Sequence, residues 1–459
     1  MPLLAVGLAL VPATQVQAQA VVHTLARELT GPLSGVERRV LPFPAGHVAV
    51  HWDGDPDAKV TVAFSTDGTR FGPSVDAERD EVGEQRLDGQ TYGAILSAGR
   101  AVAVEVAGDR PLGRLTVLAI ADGATSVTKT QVPANAAGAV TTQPTVVSRA
   151  GWGADESLRF NKRGQPVWPP VFQTVQKLVV HHTAGANGES GAAARATIRA
   201  IYYYHAVTQG WGDIGYNFIV DDAGTIYKGR STSQTILDNN DVTGENASAQ
   251  GVTAGHAYGY NSGTVGVALL GTFSTVDASP AAKQGLTEFL TWKASAHGLD
   301  ASANGASLYT NPINGTQVAF PNIPGHQQVP DNATECPGGY FLGNSLPAIR
   351  QAVLTNSGTP DSTAPSVPTN LKAASSRSTV TLSWSASTDA GTLSGNQSGV
   401  AGYDVSRSSG TGQLVRLGST TALSYVDSSA NRGTSYHYSV MAFDGAGNRG
   451  AAASVAFTM

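Results

Sequence analysis

Few residues in this 459-residue chain have side chains that could do chemistry together, and they lie far apart. The single cysteine, Cys336, follows His326 by ten positions in the stretch Gly325-His326-Gln327-Gln328-Val329-Pro330-Asp331-Asn332-Ala333-Thr334-Glu335-Cys336-Pro337-Gly338. A lone thiol cannot close an internal disulfide, which leaves packing, nucleophilic chemistry or metal binding as its roles. Catalytic zinc sites take three protein ligands and leave a fourth position to water, and imidazole with thiolate suits zinc better than magnesium or calcium. His181, where an apolar strand pattern runs into polar residues (Lys177-Leu178-Val179-Val180-His181-His182-Thr183), can supply the third ligand. His326 and Cys336 sit on a loop punctuated by Gly325, Pro330 and Pro337-Gly338. For any one histidine the plainer role is packing or a solvated face. That role is assigned to His23, His47 and His51, which have no second ligand type beside them, and to His205 and His297 on helical patterns.

The elements that must hold these residues follow from periodicity. From Val21 to Ala121 short apolar or alternating runs (Val48–Trp52, Val60–Phe64, Ala101–Val106, Leu115–Leu118) are separated by turn clusters such as Asp53-Gly54-Asp55-Pro56. This spacing predicts a β-sandwich over 21–121. Residues 122–145 are Ala, Thr, Val, Gly and Pro with little charge, and are read as a linker. The region 146–356 alternates strand and helix patterns. Ala192–Val207 has Ile198, Ile201, Tyr202 and His205 on one stripe, Tyr216–Val220 and Thr225–Lys228 form a hairpin, and Thr264–Leu270 is a central strand. Ser279-Pro280 starts a helix carrying Leu286, Phe289, Leu290 and Trp292. A mixed sheet flanked by helices is the architecture expected. Residues 357–368 form a second linker, and 369–459 reads as an all-β unit with an inward Trp384 and strands at Tyr403–Val405 and Tyr436–Val440.

Lys plus Arg total 29 against 34 for Asp plus Glu, a net charge of −5, and no basic cluster stands out, which argues against nucleic acid as a partner. Residues 1–20, an apolar run followed by Ala18-Gln19-Ala20, read as a signal peptide, so the expected location is extracellular. No run approaches the ~20 apolar residues of a transmembrane helix.

Several blocks taken together carry a resemblance. They are Ser148-Arg149-Ala150-Gly151-Trp152-Gly153-Ala154, His181-His182-Thr183, Gly210-Trp211-Gly212-Asp213-Ile214-Gly215-Tyr216-Asn217-Phe218, Ala254-Gly255-His256-Ala257-Tyr258-Gly259-Tyr260-Asn261, Val265–Gly271 and Thr334-Glu335-Cys336-Pro337-Gly338. In this order, over about 146–354, they resemble the peptidoglycan recognition protein and phage-lysozyme type of N-acetylmuramoyl-L-alanine amidase. The C-terminal unit resembles a fibronectin type III domain, with Trp384 and Tyr436 at the core tryptophan and corner tyrosine.

The resemblance implies zinc-dependent cleavage between the lactyl group of N-acetylmuramic acid and L-alanine in peptidoglycan. His181, His326 and Cys336 fall on the zinc ligands, Tyr216 on a tyrosine beside the attacking water, and Thr334 on an oxyanion-stabilising position. Thr183 and His256 fall on cleft-lining, substrate-binding positions. Two departures are visible: Gln327-Gln328 replace a common Arg-Asp in a longer ligand loop, and an insertion follows Gly229-Arg230 as far as Val252. A silent peptidoglycan receptor and a wall-attached adhesin are the competing functions. The flanking sandwiches are candidates for binding cell-wall carbohydrate.

Overall fold

The computed structural model describes residues 15–80, 89–132, 143–236, 241–301, 306–357, 364–376, 379–389, 400–410, 412–444 and 448–459. The chain divides into two compact units, Met1–Leu290 with Ala303–Gln351, and Thr291–Ser302 with Ala352–Met459. Among the described residues no helix is long and apolar enough to cross a membrane.

In the first unit the N-terminal strands form one antiparallel sheet, not the two of a sandwich. Its order is Gln15–Leu33, Leu112–Val132, Val36–Asp53, Leu96–Gly108, Val60–Ser65, Val75–Asp76, and Gln90–Tyr92 also pairs with Val36–Asp53. Register shifts at Val40/Ala45 and Ala45/His47 break the long strand Val36–Asp53. Its first half pairs only with Leu96–Gly108 and its second half also with Leu112–Val132, so a single sheet takes over the role of two.

Alternation along the second half sets two different surfaces. Val48, Val50 and Trp52, with Leu115 and Val117, belong to the N-terminal module's own core. Ala49, Leu118 and Ile120 join Tyr92 and Ile95 in a second core, shared with Ile198, Ile201, Tyr204 and Trp152 of the central domain. Both faces are covered, which is why these strands read as continuous apolar runs.

Two further sequence expectations change at the edges of this module. The strand Gln15–Leu33 begins inside the stretch read as a leader, of which residues 1–14 lie outside the described residues. The expected linker 122–145 starts as strand, because Leu112–Val132 stays paired with Gln15–Leu33 as far as Val132. Residues 133–142 of that linker lie outside the described residues.

The central domain carries a five-stranded mixed sheet in the order Lys177–His182, Thr264–Leu269, Phe218–Val220, Ile226–Lys228, Val146–Val147. The first three strands are parallel, and Phe218–Val220 and Ile226–Lys228 form the expected hairpin. Asp221 builds its turn by accepting from the backbone N–H groups of Ala223 and Thr225. Helix Gly191–Tyr203 buries Ala194, Ile198 and Ile201, and helix Pro280–His297 begins behind Ser279, whose Oγ accepts from Ala282 N–H at 3.0 Å.

In the second unit Thr369–Ser376, Thr379–Ser385 and Ser424–Asp427 form one sheet. Val415–Thr420, Val400–Ser409, Ser435–Asp444 and Arg449–Thr458 form another. Between them Trp384, Tyr403, Val405, Tyr438 and Val440 build the core. Tyr436 is buried and its Oη accepts from Asn431 N–H at 2.9 Å. Within the expected turn 444–448, residues 445–447 lie outside the described residues, as do 358–363 of the second linker.

Candidate metal centre

Strand Lys177–His182 is buried along its whole length, so its last residues reach the sheet's C-terminal end on a fixed backbone. The loop carrying the other two candidates is stitched to that strand's free edge: Leu178 N–H donates to Asn322 O and Val180 N–H to Pro324 O. A one-turn helix, His326–Gln328, follows directly. Gln327 N–H then donates to Cys336 O at 2.8 Å, which folds the loop back and returns the thiol to the histidine. Gln328, one of the two departures noted above, accepts from Gly325 N–H and from Arg350 Nη2.

One ligand atom each of His181, His326 and Cys336 lie within 4.8 Å of one another, and all three residues are buried. The hydrogen bonds around them fix the tautomers. His326 Nε2 lies 3.0 Å from Asn332 Oδ1, an acceptor, so Nε2 carries the proton and Nδ1 keeps a lone pair. That Nδ1 is buried with no hydrogen-bond partner. His181 Nδ1 faces Cys336 Sγ at 3.6 Å, while its Nε2 meets His256 Nδ1 at 3.1 Å. His256 Nε2 in turn lies 3.2 Å from Thr264 Oγ1, which donates to Tyr260 O at 2.6 Å. A consistent relay has each group donating to the next, leaving His181 Nδ1 unprotonated. Cys336 Sγ accepts from His182 N–H at 3.3 Å, a contact that favours thiolate. An orphaned imidazole nitrogen, a second lone pair and a sulfur converging in a buried spot fit zinc, and each ligand histidine has its other nitrogen held by a neighbour.

Burial, with the neighbouring His326, His256 and His182, holds His181 well below the usual imidazole range. His326 is lowered to about 4 by burial, against a smaller opposing effect of its bond to Asn332. Both rings are therefore neutral at pH 7, the state that binds metal.

The open side is a cleft of about 240 Å³ lined by His182, Thr183, Tyr216, His326, Glu335 and Cys336, together with Glu78, Arg79 and Asp80. Tyr216 is 3% exposed, its ring 5.7 Å from that of His181. Thr183 lines the cleft, and its Oγ1 accepts from Gly271 N–H. Thr334 Oγ1 accepts from Cys336 N–H at 2.9 Å, so its hydroxyl holds the ligand's backbone.

His256 departs from expectation. It is fully buried behind His181 and supports that ring from the far side of the cleft. The strand beside it allows this only because residue 266 is glycine: a Cβ there would come within 2.3 Å of the His256 ring. His205, expected to be packed or solvated, is 2% exposed and bonds Asp80.

Asn332 and the segment Glu78–Asp80 went unnoticed in the sequence. Asn332 lay in plain view between His326 and Cys336, an amide side chain at a loop position where a ligand needs orienting. Nothing local marks Glu78 or Asp80, which reach the cleft only through the packing of another module.

Comparison with known proteins adds to this geometry. Residues 171–339 match the N-acetylmuramoyl-L-alanine amidase family. Over 197 residues the chain is 27% identical to peptidoglycan-recognition protein SC1a of Drosophila melanogaster, covering 43% of this chain and 81% of that one. Over 85 residues it is 36% identical to peptidoglycan recognition protein 1 of Bos taurus, covering 18% and 40%. Over 112 residues it is 45% identical to Exoglucanase B of Cellulomonas fimi, covering 24% of this chain and 9% of that protein's length. Among solved structures, N-acetylmuramoyl-L-alanine amidase LysC from Clostridium intestinale is 20% identical, covering 45% of this chain and 97% of that one at a TM-score of 0.28. The central domain thus matches the N-acetylmuramoyl-L-alanine amidase family over residues 171–339 and is similar along most of its length to the peptidoglycan-recognition proteins.

Proposed function

We propose that the chain is a zinc-dependent N-acetylmuramoyl-L-alanine amidase that acts on peptidoglycan outside the cell. The observation that carries this reading is the convergence of His181, His326 and Cys336, with lone pairs directed inward, beside an open cleft. A receptor that only binds has no need of a third ligand, and Cys336 supplies one. When bound, zinc polarises the amide carbonyl and lowers the pKa of water to about 7.

The chain's own residues do the rest. Tyr216, on the cleft wall, orients the attacking water or the substrate carbonyl through its hydroxyl. Thr183 lines the side where the peptide enters. Thr334, tied to Cys336, acts on the oxyanion through the position of the ligand loop. Trp384 and Tyr436, buried at the positions of a core tryptophan and a corner tyrosine, support a fibronectin type III reading of the C-terminal unit.

The test is direct. Full-length protein incubated with purified peptidoglycan should release new L-alanine amino termini, lose that activity to a chelator and regain it with zinc. A Cys336→Ser variant should lose zinc and turnover together. Zinc-loaded protein that binds the polymer without releasing termini would assign it to the receptor class.

A further inference from the structure

One wall of the cleft comes from outside the family domain. Glu78, Arg79 and Asp80 belong to the N-terminal module, yet they line the same cavity as Tyr216, His326 and Cys336. The segment is fixed on both sides. Ala77 N–H donates to Val60 O, Ala94 N–H to Glu78 O, and Asp80 N–H to Tyr92 O, all at 2.7–2.8 Å. Asp80 is then clamped to the central domain, its Oδ2 accepting from His205 Nε2 at 3.0 Å and Gln209 Nε2 at 2.7 Å. Behind it lies the shared core of Tyr92, Ile95, Ile198 and Tyr204. Such a segment is a permanent wall.

Within that wall the two acids differ. Asp80, its side chain 8% exposed, is engaged in holding the modules together through His205 and Gln209. Glu78 keeps 31% of its side chain exposed, and its closest charge partner is His182 Nε2 at 3.8 Å, beyond hydrogen-bond range. A carboxylate placed at a cleft wall on a rigid backbone, with only this longer contact to His182 among the described residues, is available to a substrate.

We propose that Glu78 is a catalytic carboxylate of the amidase reaction, carrying the proton to the departing amine nitrogen. This rests on the amidase reading. As water's oxygen bonds to the carbonyl carbon, one of its protons passes to the Glu78 carboxylate. Glu78 then gives that proton to the amide nitrogen as the C–N bond breaks. The products are the muramyl carboxylic acid, which ionises in solution, and the free amino terminus of L-alanine, and Glu78 is again a carboxylate. Burial, followed by the nearby Glu335 and Asp76, raises its affinity for a proton above that of an ordinary glutamate. The other groups facing it are His182 from the central domain and Arg79 of its own segment.

The experiment compares wild-type and Glu78→Gln full-length protein, both zinc-loaded and matched in melting temperature. On peptidoglycan fragments Glu78→Gln should lose about 10²–10³ in kcat with KM within about threefold. An aryl ester of the same muramyl acid, whose phenolate leaves without a proton, should show a deficit at least tenfold smaller. Glu78→Ala should regain part of its amidase rate with added formate. A kcat within threefold of wild type, or an equal deficit on amide and ester, overturns the role of Glu78 and leaves the amidase reading intact. Fully zinc-loaded wild type without turnover on either substrate overturns both.

Discussion

His181 and His256 face one another edge to face, their ring centroids 5.0 Å apart, with Nε2 of the first 3.1 Å from Nδ1 of the second. One imidazole thus sets the tautomer of the other. His256→Ala should weaken zinc binding by about 10–100-fold, the usual effect of losing a partner behind a metal ligand. Competition titration against a chelator of known affinity reads this, and an unchanged affinity would reduce His256 to a packing role.

Gly266 is the condition for that pairing, because its strand passes directly under the His256 ring. Gly266→Ala should lower stability by about 1–3 kcal/mol through overpacking, and should weaken zinc binding as well because His256 must move. Urea unfolding of the zinc-free protein measures the first effect and the chelator titration the second. Loss of stability with normal zinc affinity would show that the ring yields without disturbing His181.

The junction between the N-terminal module and the helix Gly191–Tyr203 contains a titratable contact. His47 Nε2 donates to Thr197 Oγ1 at 2.8 Å, and burial, outweighing Asp122, lowers its pKa to about 4. The unfolded chain takes up this proton below its ordinary 6.5 while the folded chain stays neutral until about 4. Stability from this group is therefore complete above pH 6.5, falls as pH drops, and levels off below 4, a loss of up to about 3 kcal/mol. His47→Gln, which retains a donor for Thr197, should flatten the decline in melting temperature between pH 6.5 and 4. A parallel decline in variant and wild type would place the sensitivity elsewhere.

Because Leu118 and Ile120 share a core with Ile198 and Tyr204, the N-terminal sheet and the central domain should melt together. Leu118→Ala should cost about 2–5 kcal/mol and lower the transition of the central domain too. Calorimetry that resolves two independent transitions within 15–351 would contradict a common core.

The three candidate ligands, which the structure brings together, were legible because their chemistry is rare. One cysteine, a histidine ten residues before it and a histidine ending a buried strand left little choice once the ordered blocks were seen. The mixed sheet was legible for a similar reason: strand and helix periods alternate clearly around Lys177–His182 and Thr264–Leu269. His256 was placed in the cleft by the resemblance alone, and nothing beside it in the sequence shows that the glycine ten residues later opens the space behind His181 that its ring fills. The single N-terminal sheet was hidden because local alternation specifies strands but not which neighbours a bulged strand changes between. Glu78 was invisible for the most general reason. Its sequence neighbourhood concerns its own sheet edge, and its partners lie a hundred or more residues further along.

The shared core of Ala49, Tyr92, Ile95, Leu118 and Ile120 with the helix Gly191–Tyr203 has a practical consequence. The stretch from 146 to 356 is not a cassette. Anyone grafting this central domain onto another module would strip its helix of a hydrophobic cover and its cleft of one side. The two pieces have to be transplanted as one body, with any exchange of parts made beyond residue 356.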